Sequence, residues 1–141
     1  MVTLRNGCFG CGVVARLQGR MALGYFFGPK TVAPVSLVEV TARAPNEAVA
    51  VWRFGDLHLH DGKWPIIGSD PNWPRERWPV PDYIRRDPLR PHIAWRIVYE
   101  QDASLRRKSE ARISADTQGL ELDELYGTDA VEIALAQRLN T

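Results

Sequence analysis

The sequence predicts an α+β protein, mostly β: a curled antiparallel meander carrying a long Trp/Pro-rich loop and a C-terminal helix. Three observations predict it. Two-residue turn signals, Asn6-Gly7 and Gln18-Gly19, punctuate an apolar, glycine-dotted N-terminal stretch. Runs rich in β-branched and aromatic residues recur at 48–54 and 93–100 without helical spacing. Helical periodicity is clear at 129–139, near the C-terminus. A chain of 141 residues is expected to form one domain, residues 1–141, and to bury a core without help from a disulfide or a metal.

Residues 2–5, 8–17 and 20–27 read as three strands of a meander, the first of them short. Gly10 and Gly12 leave room for a bulge or a close backbone approach, and Gly28-Pro29 is expected to end the third strand. Residues 32–44 (VAPVSLVEVTARA) are ambiguous: β-branched residues favour a strand, whereas Ser36 followed by Glu39 fits a capping box, which tilts the reading to a short helix. Pro45-Asn46-Glu47 is a turn, and 48–54 (AVAVWRF) a strand so apolar that it belongs inside a sheet. Residues 56–60 (DLHLH) alternate as a strand does, and Asp61-Gly62 reads as a hairpin turn into a strand at 63–68. From 69 to 91 the chain is rich in Pro, Arg and Asp, and each residue before a proline is pushed to extended geometry, so one long irregular loop is expected. Residues 93–100 and 106–113 form a hairpin, 120–125 carry apolar positions at 120, 122 and 125, and Asp129 sits as the N-cap of the final helix, with Arg138 in its last turn.

Charge and composition exclude several classes. Lys+Arg is 18 and Asp+Glu 17, a balance that argues against nucleic acid as partner, because binding by counterion release needs clustered surplus cations. No apolar run approaches the roughly 20 residues of a membrane span, and no apolar leader follows Met1, so the cytoplasm is the expected compartment. Arginine outnumbers lysine strongly, with Lys only at positions 30, 63 and 108. Arginine forks suit protein interfaces, and a high-GC coding bias accounts for the same excess. Cys8 and Cys11 form a C-x-x-C pair, but on a strand their side chains point to opposite faces, and no second ligand pair completes a zinc site. Neither a metal nor a cofactor is expected.

The chemistry-bearing patterns are few. Asp56, His58 and His60 alternate with Leu57 and Leu59, which on a strand puts both imidazoles and the carboxylate on one face; this is the one arrangement that suggests a small metal-assisted or acid–base enzyme. The favoured reading is the plainer one, a solvated strand face with leucines in and polar residues out. Glu121, Asp123 and Glu124 read as the polar face of LELDEL, and no nucleophile elbow or Ser–His–Asp set is present. The Trp loop is different. Trp64, Trp73 and Trp78 are each followed by proline, and NWPRERWPVPDYIRR brings Trp73, Arg75, Arg77, Trp78, Tyr83, Arg85 and Arg86 into one run. Trp, Tyr and Arg dominate binding hot spots. Trp64, beside Ile66 and Ile67, reads as core; for Trp73 and Trp78 both core packing and partner contact stand open.

The order of motifs also resembles a known family. CFGCGVVAR is followed by a GYFFG strand, then by FGDLHLHDGKWPIIGS with a G-x-W-x-x-x-G element at Gly62, Trp64 and Gly68, then by WPVPDYIRRD and RIVYE. The chain closes on LYGTDAVEIAL, whose Tyr126, Gly127, Ala130, Val131, Glu132, Ile133 and Leu135 complete the pattern. This order is similar to the immunity protein 26 family of bacterial polymorphic-toxin systems, over nearly the whole chain. The resemblance implies a cytosolic, non-enzymatic protein that binds a toxin delivered by a neighbouring cell and blocks it.

Three functions follow as expectations: a toxin-neutralising binding protein whose contact residues are Trp73, Arg75, Arg77, Trp78, Tyr83 and Arg85; a structural or regulatory sheet domain that forms homodimers through an exposed edge; and a small enzyme built on Asp56, His58 and His60.

Overall fold

The structure is a computed structural model that describes residues 1–140. It is mostly strand, with a curled sheet and a C-terminal helix, as the sequence predicts. Nine strands form two hydrogen-bonded sheets. In the first, β1 (Val2–Thr3), β2 (Phe9–Gln18), β3 (Met21–Thr31) and β4 (Ala50–Gly55) run antiparallel in that order. In the second, β5 (Tyr83–Arg86), β6 (Ile93–Tyr99) and β7 (Arg107–Ser114) also pair antiparallel. Two short strands join the sheets: β8 (Glu121–Leu122) adds parallel to β5, and β9 (Leu125–Tyr126) adds parallel to β4. These two parallel pairs are the one departure from an all-antiparallel meander.

Strand β3 explains the layering. Its residues 22–27 are all buried, because both faces of the first sheet are covered. Leu23, Tyr25 and Phe27 point one way, into a core completed by Trp78, Val80, Tyr83, Ile97 and Tyr99 from the loop and the second sheet. Ala22 and Phe26 point the other way, into a second core with Trp52, Phe54, Trp64 and the helix residues Val131 and Leu135. That period-2 division also separates the cysteines: Cys11 lies in the first core, and Cys8 packs against the second. The helix, α3 (Thr128–Leu139), settles close to the sheet at Gly10, where an added Cβ would stand 3.0 Å from Leu135. Its N-cap is Gly127, not Asp129, which sits inside the first turn.

The 32–44 segment holds a short helix, α1 (Leu37–Thr41), closed by the capping box expected of Ser36 and Glu39: the Glu39 N–H donates to the Ser36 hydroxyl, and the Glu39 carboxylate accepts from the Ser36 N–H. The bond from the Ser36 N–H, with a second from its hydroxyl, holds the Glu39 carboxyl below its ordinary range.

Four further expectations are corrected. Residues 56–60 do not form a strand; Leu57–His60 is a single helical turn, α2, started by N–H groups of Leu59 and His60 donating to the Asp56 carbonyl. Residues 63–68 form no strand either, so Asp61-Gly62 is not a hairpin turn. Gly28-Pro29 does not end β3, which runs on to Thr31. The stretch 69–91 is not one loop: apart from a 3-10 turn at Arg75–Arg77 it is irregular over 69–82 and again over 87–91, and between them lies β5, whose pairing with β6 uses the backbone of residues that Pro79 and Pro81 had made look like loop.

Candidate functional site

The helical turn of α2 undoes the face that Asp56, His58 and His60 were expected to share. His58 turns inward and is buried, His60 is exposed, and Asp56 lies within 3.8 Å of Arg20. His58 instead meets residues from the far end of the chain. Its Nε2 is 3.4 Å from Asp129 and 3.7 Å from Glu132, and its Nδ1 is 3.3 Å from Asp61. His58, Asp129 and Glu132 thus bring three ligand-type atoms together. A cation already sits among them: Lys63 Nζ is 3.4 Å from His58 Nε2 and 3.7 Å from Glu132. Glu132, only 3% exposed, is also held by the Trp64 indole, whose N–H donates to it at 2.9 Å. This is a closed network in which a buried carboxylate receives the compensation that burial demands. It fastens α3 to the segment 58–64, and it joins the G-x-W element to the AVE element of the sequence.

The acidic cluster at 121–124 is committed to similar work. Arg138 reaches both oxygens of Glu121, at 2.8 and 3.0 Å, in the forked geometry that guanidinium and carboxylate favour, and the Trp52 indole donates to the same carboxylate. Asp123, its side chain fully buried, takes Arg53 at 3.0 Å, Arg107 at 2.7 Å and the Tyr99 hydroxyl. Burial, helped by that bond, pushes the Tyr99 hydroxyl above its ordinary pKa. The Arg53 guanidinium lies over the Tyr99 ring at 4.8 Å. Standing between β8 and β9, Asp123 locks the two sheets together.

The Trp loop divides between core and surface. Trp78 is 7% exposed and meets Tyr25 and Phe27 edge-on, with ring centroids 5.0 and 6.2 Å away. Tyr83 is 0% exposed and donates to the Val51 carbonyl at 2.9 Å. Trp73 is half-buried and stacks on the outer side of Trp78 at 5.0 Å, its indole N–H buried without an acceptor. Arg75 and Arg77 are exposed on the intervening turn. Arg85 lies elsewhere, on β5, 4.4 Å over the Trp95 ring and 3.1 Å from Glu110; Arg86 donates to the Ala115 carbonyl. The structure therefore gathers Trp73, Arg75, Arg77 and Trp78 at one place, puts Trp78 and Tyr83 inside the core, and sets Arg85 on the sheet.

One residue that sequence reasoning missed organises this loop. Arg16 is 3% exposed and forms no ion pair with a carboxylate among the described residues; it donates to four carbonyls, those of Ala15, Trp78, Gln101 and Asp102, at 2.8–3.1 Å. Burial holds its guanidinium below the ordinary pKa. A register shift between Val14 and Arg16 lets Ala15 and Arg16 both turn inward, a placement no alternation pattern announces. Gln101 adds a reciprocal pair, accepting from the Val80 N–H and donating to the Val80 carbonyl. The Trp loop and the β6–β7 turn are thereby one fixed surface. Away from this surface, a crevice of about 30 Å³ lies between Gly12, Gly24, Phe54 and Trp64, and an open trough of about 370 Å³ lies beside Trp52, Tyr126 and Arg138.

No curated protein and no solved structure matches the chain. A family model described as immunity protein 26 matches residues 1–95, from β1 into β6, and stops short of the AVE element that the sequence reading had included. With 95 of 141 residues matched, the chain belongs to the immunity protein 26 family.

Proposed function

We propose that this chain is a non-enzymatic bacterial immunity protein that acts in the cytoplasm by binding and neutralising a cognate polymorphic or contact-dependent toxin. The observation that carries the reading is family membership. The arrangement of charged groups supports it. Each cluster with catalytic residue types is already engaged internally: Glu132 by Trp64 and Lys63, Asp123 by Arg53 and Arg107, and Glu121 by Arg138. Groups held this way stabilise the scaffold and are poorly placed to move protons for a substrate.

The contact we assign first is the shelf of Trp73, Arg75 and Arg77. It combines an indole with exposed guanidinium groups on a loop made rigid by Arg16, which lowers the ordering cost of association. The test is co-expression with the toxin encoded beside this chain: the wild type restores growth, and Trp73→Ala abolishes rescue while the melting point changes little. Failure of the wild type to bind or rescue against that toxin would refute the immunity reading.

A further inference from the structure

Strand β7 has features that the Trp shelf does not account for. The two sheets have four edges between them, and three consist of two-residue strands, β1, β9 and β8. Short edges are a common protection against unwanted strand pairing. The fourth edge, β7, is eight residues long, pairs only with β6, and has every residue exposed except Ile113. Its outer row of backbone N–H and C=O groups lies open over that length.

The edge is also basic. Residues 106–112 read RRKSEAR, with four cations and one acid. Arg85 neutralises the acid, Glu110, and Arg107 is committed to Asp123. Arg106, Lys108 and Arg112 have no ion-pair partner among the described residues. Arg112 lies over the Trp95 ring, in a row that runs Arg85, Trp95, Arg112 across three strands, with the guanidinium groups 4.4 and 5.7 Å from the ring. The edge continues into the Trp shelf. Asp102, its carboxyl lowered chiefly by bonds from Ser104, also feels both Arg75 and Arg106, so the shelf and the start of β7 flank one carboxylate.

Resting on the immunity reading, we infer that β7 is a docking strand: an extended, acidic segment of the toxin adds to the second sheet along this edge, with its carboxylates facing Arg106, Lys108 and Arg112. Main-chain hydrogen bonds supply the register and charge supplies the selectivity. A second copy of the chain is the poorer occupant, since two β7 strands side by side oppose like charges.

The experiment uses the full chain and the purified toxin domain encoded beside it, with binding measured at low and high salt and amide exchange followed residue by residue. The expected result is slowed exchange within residues 107–114 on complex formation. Arg106→Glu/Lys108→Glu/Arg112→Glu should bind about tenfold or more weakly, with a shallower salt dependence, and its circular dichroism should match the wild type. Lys108→Glu alone, at an exposed position, gives the same direction of change if the triple variant folds poorly. Unchanged exchange in β7, or unchanged affinity in both variants, overturns the docking strand while leaving the immunity reading intact. Protection of β7 that rises with the concentration of the chain alone overturns it in favour of self-pairing. No binding by the wild type refutes the immunity reading itself.

Discussion

The bond between Trp64 and Glu132 allows a quantitative test of how the motif residues behind the sequence resemblance work. Trp64 is 1% exposed, and its N–H supplies the shortest contact to a carboxylate that lies 3.7 Å from both Lys63 and His58. A hydrogen bond to a charged group contributes about 1.5–3 kcal/mol, and leaving such a group short of a partner costs more than replacing both partners. Trp64→Phe removes the donor and part of a ring that packs 5.7 Å from Phe54, so a loss of about 2–4 kcal/mol is expected. Glu132→Gln keeps the shape but gives up the charge, for about 1–2 kcal/mol. The double variant should fall short of the sum by about 1 kcal/mol, because the charge assistance that Gln gives up in this bond is already gone once the indole donor is removed. Urea unfolding gives each value, and for a chain of this size Trp64→Phe should lower the melting temperature by roughly 6–12 °C. Additivity within about 0.3 kcal/mol would refute the coupling and leave the conjunction of the two motifs without an energetic role.

The two loop tryptophans should behave differently: Trp78→Ala empties core space between Tyr25 and Phe27 and should cost about 3–5 kcal/mol in urea unfolding, whereas Trp73→Ala should cost much less and show its effect in toxin binding. Gly24→Ala should destabilise by about 1–3 kcal/mol, since its Cβ would lie 2.8–2.9 Å from the rings of Phe54 and Phe26; an unchanged midpoint would mean that both rings can move aside. All four tyrosines have their pKa raised, Tyr25 to about 12, by burial first. Their folded values lie above the unfolded one, so the stability they contribute is intact below about pH 10 and is lost as the pH rises toward about 12; phenolate absorbance should appear together with unfolding, and a tyrosine ionising near 10 in the folded protein would contradict the burial described. Treatment with a chelator should leave the melting curve unchanged, because Lys63 already supplies the positive charge among His58, Asp129 and Glu132; a drop on chelation, restored by a divalent ion, would show that a metal takes that place.

Much of the scaffold was legible because local chemistry and long-range packing agree there. Asn6-Gly7 and Gln18-Gly19 flank real strands, Ser36 and Glu39 form their box, and Trp64 is core. The reading failed where one local pattern fits two structures. Four residues alternating Leu and His satisfy a strand, yet they also fill one helical turn, and the following Asp61-Gly62, with Gly62 at φ +80°, suits the left-handed residue after a helix as well as a hairpin. Tyr83–Arg86 was hidden for a different reason. Its flanking prolines signal loop, while its strand character comes from β6 and β8, partners distant in sequence. The candidate site was legible only as a composition. That Trp73 faces outward and Trp78 inward depends on Arg16, whose burial follows from a bulge and from carbonyls 62–86 residues away.

The motifs on which the sequence resemblance rests turn out to be joints of the scaffold, and that bears on where recognition can reside. Trp64 and Glu132 join the helix to the sheet, and Gly10 admits the helix to close range. Residues used in this way cannot also face a partner without releasing what they hold, so recognition falls to surfaces that the joints leave over. The family match ends at residue 95, before β7 begins. A shared first sheet and loop, with a separate basic edge beyond the match, is the arrangement expected of a scaffold that can keep its fold while its contact strand changes with the toxin. On this argument, grafting the β7 residues of another member onto this chain should transfer toxin preference at little cost in stability. Transfer that instead required exchange of the first sheet would place the selectivity there and not in β7.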